Sequence, residues 1–215
     1  MAYRDFTLDQ VEKLLGVTIQ MLDLFPALTP LPVSEWLSEA LAQGKGLAFF
    51  SEKARSEFIV CPVLLDTRRL SHKWFTIHSG QRLDVQAERG LVGECDFILS
   101  ASPTALIIRS PKVAVVQARE NDVEVGLGEC IAQMVGARIF NERASSDVGP
   151  ILGCVTTGET WQFLRLDESV VSIDRTRYYI DNVGLLLAVW QAVIAACQRV
   201  GCRRAARIGF LISKD

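Results

Sequence analysis

The sequence predicts an α/β fold: a mixed central β-sheet flanked by helices, carrying an N-terminal helical extension. Three observations predict it. Apolar residues recur at helical spacing up to Leu70 and at strand spacing after Trp74. The elements run helices, strands, helix, strands, helix, an order that places helices on a mixed sheet. Val113-Ala114-Val115-Val116 is a continuous apolar run, the pattern of a strand buried on both faces. The organisation expected is an extension over residues 1–50 and a main domain over 51–215.

Thr7-Leu8-Asp9-Gln10 reads as a capping box opening a helix that runs to about Leu24. Pro26, Pro30 and Pro32 mark a connector. Ser34 caps a second helix ended by Gly44-Lys45-Gly46. Ser51 caps a third, with Ala54, Phe58, Cys61 and Leu65 on one stripe and a kink or break expected at Pro62. After Trp74, Ser79-Gly80 reads as a turn between short strands. Leu91 to Leu99, Leu106 to Ile108 and Val113 to Ala118 read as further strands, with a turn at Ser110-Pro111-Lys112. Asn121-Asp122 caps a helix reaching about Asn141, and its Gly126, Gly128 and Gly136 permit close packing on the sheet. Ile151 to Thr156 and Thr160 to Leu166 form a hairpin about Gly158-Glu159. Val170 to Ile173 adds a strand, and Asp181 or Asn182 caps an apolar helix running to Arg199.

With 215 residues, 49% hydrophobic and 22% charged, the chain is neither disordered nor collagen-like, and it is long enough to bury a core without staples. The net charge of −2 gives no overall basic field, so any nucleic-acid site must be a local patch. The six cysteines (61, 95, 130, 154, 197 and 202) form no CxxC pair, and His72 and His78 lie far from them. They read as buried apolar residues in a reducing compartment rather than zinc ligands. Met1 to Leu15 lacks the pattern of a secretory signal, and Val183 to Cys197 is too short for a span. The expectation is a cytoplasmic protein with no membrane partner. The apolar helix is expected to be core, with a homodimer interface as the other reading.

Three clusters could carry chemistry. Glu94 and Asp96, two apart on a strand, share a face while Cys95 and Phe97 face the other way. Two carboxylates so placed call for a cation, an arginine or open solvent. Gln117 and Arg119 end an apolar strand just before a helix, a frequent place for function in α/β folds. Glu52 and Arg55 share a helix face, which alone describes a solvated surface with a weak ion pair.

Taken together, Glu52-x-x-Arg55, the run around Pro62, Asp96 on a strand and Gln117-x-Arg119 at a strand end resemble the PD-(D/E)XK nuclease superfamily. More narrowly the chain resembles a bacterial family, common in cyanobacteria, related to the nuclease domain of type I restriction enzymes. Gly128-Glu129-Cys130, Phe140-Asn141, Gly153 to Gly158 and Trp161-Gln162-Phe163 extend the likeness, which covers roughly Ser51 to Leu187. The resemblance implies a restriction-endonuclease-like core and Mg²⁺-dependent phosphodiester hydrolysis. Hard oxygen ligands would hold the ion, which generates hydroxide and stabilises charge on the phosphate. Asp96 would be the metal aspartate, with Gln117 beside it as second metal position. Glu52 would be the helical glutamate, with Glu57, Glu94 and Glu129 as additional candidates. Read from charge rather than from the resemblance, Arg55, Arg68, Arg69 and Lys73, on or just after the first core helix, would meet nucleic acid if they form one surface with the site.

The chain departs from the family where Glu-Ala-Lys is usual and Gln117-Ala118-Arg119 stands here. Glutamine keeps a carbonyl but loses a charge, and arginine cannot act as a proton-accepting lysine. Glu129 could pair with Arg119 in place of a metal. The expectation is a nuclease-like domain with weak or absent catalysis, weak Mg²⁺ binding and a nucleic-acid partner. An active Mg²⁺-dependent DNA endonuclease and a non-catalytic interaction protein are the alternatives.

Overall fold

The computed structural model describes residues 1–47, 51–101, 112–118, 122–146 and 149–212, with the main chain alone at 112, 113, 115, 117 and 199–212. The expected strand at Leu106 to Ile108, the turn at Ser110-Pro111 and Arg119 lie outside the described residues. Among the described residues, seven strands form one mixed sheet in the order β1-β7-β6-β5-β4-β3-β2. They are β1 (Thr18–Leu22), β2 (Thr76–Arg82), β3 (Glu94–Ser100), β4 (Lys112–Ala118), β5 (Ile151–Thr156), β6 (Thr160–Asp167) and β7 (Val170–Tyr179). The pairs β1·β7 and β4·β5 are parallel and the others antiparallel. The helices are α1 (Leu8–Leu15), α2 (Glu35–Lys45), α3 (Glu52–Arg55), α4 (Cys61–Leu70), α5 (Val123–Arg143) and α6 (Val183–Ile212). The α/β fold with a mixed sheet between helices is therefore present.

Two apolar layers sandwich the sheet. One gathers Leu37, Val63, Leu99, Cys154, Phe163 and Trp190 under α2, α4 and α6. The other gathers Tyr3, Val11, Ile98, Ile131, Val155 and Leu166 under α1 and α5. All six residues of β5 are buried, since it lies inside the sheet with both faces covered. The α6 residues through Cys197 that meet the first layer include Leu186, Leu187, Val189 and Trp190, which makes it a core helix. Ile180–Gln198 is long and apolar enough to cross a membrane by composition, and 56% of it is buried in this fold.

The N-terminal segment differs from the expected helix. Thr7 accepts from the Gln10 N–H and Gln10 answers to the Thr7 N–H, so the capping box forms. The helix then ends at Leu15, because Gly16 takes a left-handed φ of 69° and the β-branched Val17, Thr18 and Ile19 follow. Thr18–Leu22 becomes an edge strand parallel to β7, so the segment is not purely helical. The outward Ile19 N–H is met by the Glu12 carboxylate at 3.3 Å.

Asp122 caps α5 as expected, accepting from the Glu124 N–H at 2.9 Å. Gly128 and Gly136 meet a different neighbour from the one expected. A Cβ at Gly128 would strike the Phe6 carbonyl and one at Gly136 the Tyr3 hydroxyl. They admit the N-terminal segment, not the sheet. Ser79-Gly80 is no turn either: β2 runs through it, and residues 83–93 make the connection to β3, with a bridge between Gln86 and Leu91.

Candidate functional site

The predicted break at Pro62 takes the form of a π turn over Ser56–Val60 between α3 and α4. Proline has no N–H for the usual bond to the residue four before it, here Phe58. The ladder shifts one residue upstream, and the Cys61 N–H donates to Ser56 O. A turn of that width brings residues five apart into line, so Glu52 and Glu57 look the same way. Facing them, β3 presents Glu94 and Asp96.

These four carboxylates line one cleft of about 650 Å³, with Lys53, Ser56 and Cys61 on the helical wall and Ser79, Gly80 and Phe97 on the strand wall. The strand wall is irregular. Cys95 and Phe97 enter opposite core layers, so the expected alternation breaks at Asp96. Gly80, with φ 61°, sits between the Ser79↔Phe97 and Gln81↔Cys95 pairs, opposite that break. The Asp96 carboxylate accepts the Ala118 N–H at 2.7 Å and so ties β3 to the end of β4. The Cys61 thiol is pushed above its ordinary value, first by burial and then by the Glu57 charge, which keeps it protonated. Lys53 and Glu57 form a 3.9 Å pair between exposed side chains, which adds little.

Other expected partners stand elsewhere. Gln117 lies in β4 with its main chain paired to Val155. Its side chain, like the whole of Arg119, is outside the described residues. Glu129 is buried on α5, across the sheet from α4, and accepts from Gln133 Nε2 at 3.3 Å. It does not line the cleft. Glu52 and Arg55 do not share an environment, because Arg55 turns into a second groove and donates to the Thr157 carbonyl at 3.1 Å. From Arg55 to Arg69 the helical run covers ~20 Å at 1.5 Å per residue, so the expected basic residues split between its two ends. Arg68 is engaged by the Phe75 carbonyl at 2.7 Å and Arg69 by Asp66 at 2.6 Å, while Lys73 is exposed.

Whether the cleft can hold Mg²⁺ depends on its donor set. Among the described residues no group of three Asp, Glu, His or Cys side chains is gathered closely enough to hold a metal. One oxygen of Asp96 is already occupied by the Ala118 N–H. The described residues do not fit the ion. Sequence reasoning missed Cys61, Ser79 and Gly80 as cleft residues and the groove around Thr157-Gly158; the one signal for the cleft geometry was Pro62. No family model matches the chain, and no curated protein matches it.

Proposed function

We propose that the chain is a nuclease-like domain of the PD-(D/E)XK type that does not perform Mg²⁺-dependent hydrolysis. One observation carries the reading: Glu52, Glu57, Glu94 and Asp96, from a helix and a strand far apart in sequence, converge on one cleft beside the end of β4. The approach of a helical glutamate to Asp96 supports the reading, in which Gln117 would complete the site. The loss of chemistry follows from the donors. Asp96 has a structural task, and the positions usually held by Glu and Lys are Gln117 and Arg119. An amide attracts a divalent cation far less than a carboxylate, and an arginine adds fixed positive charge.

Without an ion the cleft sets four carboxylates against Lys53. It repels phosphate, so nucleic acid would be held by Lys73 and its neighbours at the far end of α4. Such contact is non-specific and salt-sensitive. The test is calorimetric Mn²⁺ titration beside plasmid nicking, on wild type, the Gln117→Glu/Arg119→Lys double variant and Asp96→Asn. Wild type is expected to give neither heat nor nicks, and the double variant to gain Mn²⁺ affinity. Nicking by wild type that disappears in a folded Asp96→Asn variant would overturn the reading in favour of an active nuclease. Filter binding of DNA and RNA at low salt reads the partner: no retention of either would leave a protein-interaction role.

A further inference from the structure

The groove that receives Arg55 is built unlike the acidic cleft. It holds about 400 Å³ between α2, the α3 turn and the β5–β6 turn, a size within the range of small-molecule sites. Ile59, Gly158 and Ile180 make an apolar wall, and the Tyr179 ring stands at the rim, 55% exposed. The floor is set in advance. Thr157 N–H donates to Thr160 O at 3.0 Å, Gly158 N–H to Thr156 Oγ1 at 2.9 Å and Ile180 N–H to Glu159 O at 2.8 Å. No rearrangement is needed to open the space.

Its two cations differ. Lys45 is neutralised by Asp181 at 3.2 Å. Arg55 has no carboxylate partner among the described residues. One guanidinium nitrogen meets the Thr157 carbonyl, and its Nε is shielded from solvent without an acceptor. A guanidinium is a fork of five donors shaped for an oxyanion, and among the described residues this one makes a single hydrogen bond, to the Thr157 carbonyl.

We propose that this groove binds a small organic anion. Its acid group would sit on Arg55 and a flat apolar body against Ile59, Ile180 and the Tyr179 ring. The local balance narrows the acid. Arg55 brings a positive charge with no ion pair among the described residues, Lys45 and Asp181 cancel, and Glu159 adds a carboxylate, so the lining sums to zero. A neutral lining resists a dianionic phosphate more than a monoanion, and the apolar wall with the Tyr179 ring suits a flat body, so the ligand proposed is an aromatic carboxylate. This site is separate from the carboxylate cleft and does not depend on the nuclease reading.

The experiment is isothermal titration of the full chain with 1-naphthoate, with 1-naphthalenemethanol as the same body without charge, and with adenosine 5′-monophosphate and inorganic phosphate as dianions. Naphthoate is expected to bind at least about tenfold tighter than the alcohol, the difference a charge-assisted fork contributes. Arg55→Gln should remove that difference, and Arg55→Lys should restore only part of it. Tyr179→Ala, at an exposed position, should weaken naphthoate and the alcohol alike, and it decides the matter if thermal melting finds Arg55→Gln unfolded. Absence of naphthoate binding to wild type at millimolar concentration would overturn the proposal, as would equal affinity in wild type and both folded variants. Tighter binding of the monophosphate than of naphthoate would overturn the carboxylate assignment.

Discussion

Replacing Gly136 by alanine sets two effects of opposite sign against each other. In a helix interior, alanine is favoured over glycine by about 1 kcal/mol. Here the new methyl would meet the Tyr3 hydroxyl well inside van der Waals contact, with the ring Cζ next at 3.1 Å. Tyr3 is 1% exposed and its main chain is held by the Val92 carbonyl at 3.0 Å, so the ring has nowhere to retreat. Overpacking at such a site costs about 3 kcal/mol, and the net expectation is a loss of about 2 kcal/mol. Among the described residues the hydroxyl has no hydrogen-bond partner, so Tyr3→Phe alone should gain about 1 kcal/mol. With the hydroxyl gone, the methyl faces only the ring edge, and the double variant should be about 1 kcal/mol more stable than wild type. The additive sum is a loss of about 1 kcal/mol, which leaves a coupling of about 2 kcal/mol. In melting temperature that is ~4–8 °C for a chain of this size. Urea unfolding followed by tryptophan fluorescence on the four proteins measures it. A coupling under about 0.5 kcal/mol, or a Gly136→Ala variant more stable than wild type, would refute the packing argument.

Gly44→Ala should also destabilise, by about 1–2 kcal/mol in chemical denaturation, because its Cβ would press on the Phe58 carbonyl of the π turn. Asp84 is held below the ordinary carboxylate range, chiefly by its hydrogen bonds from Arg82 at 3.0 Å and less by the Gly93 N–H. Because the folded value is the lower one, the stabilisation is complete above about pH 4 and is lost as pH falls through the folded value. Melting curves of Asp84→Asn between neutral and strongly acidic pH should therefore fall less steeply than wild type. The Cys61 thiol should alkylate with iodoacetamide more slowly than an exposed cysteine at neutral pH, and Glu57→Gln should move its rate profile to lower pH, read by mass spectrometry of the labelled peptide.

Elements whose ends carry their own chemistry were legible in the sequence. Asp122 announced α5, the Gly158-Glu159 pair announced the β5–β6 hairpin, and Ser34 announced α2 through a cap on the Leu37 N–H. The misreadings came where one local signal outweighed another. The capping box at Thr7 predicts a helix that continues past Gly16, although glycine followed by three β-branched residues ends a helix and begins a strand. Ser79-Gly80 predicts a turn from its residue types, but a glycine at positive φ serves a turn and a strand irregularity equally well. Strand spacing puts Glu94 and Asp96 on one face, and the resemblance adds Glu52 with Glu57 as its alternative, but no local pattern brings that helix to that strand. No local pattern tells Arg55 to leave the Glu52 face, since that choice depends on the Thr157 carbonyl, 102 positions away.

The β1·β7 pairing has a consequence in time. Gln20 and its partner Ser172 are 152 positions apart. At about 5–20 residues per second of synthesis, the first strand waits roughly 8–30 s after leaving the ribosome for its neighbour to be made. Val11, Leu15 and Val17, which end in the α5-side core, are without their β7 floor for that interval. The margin of the sheet that β1 forms thus closes only once β7 has been made.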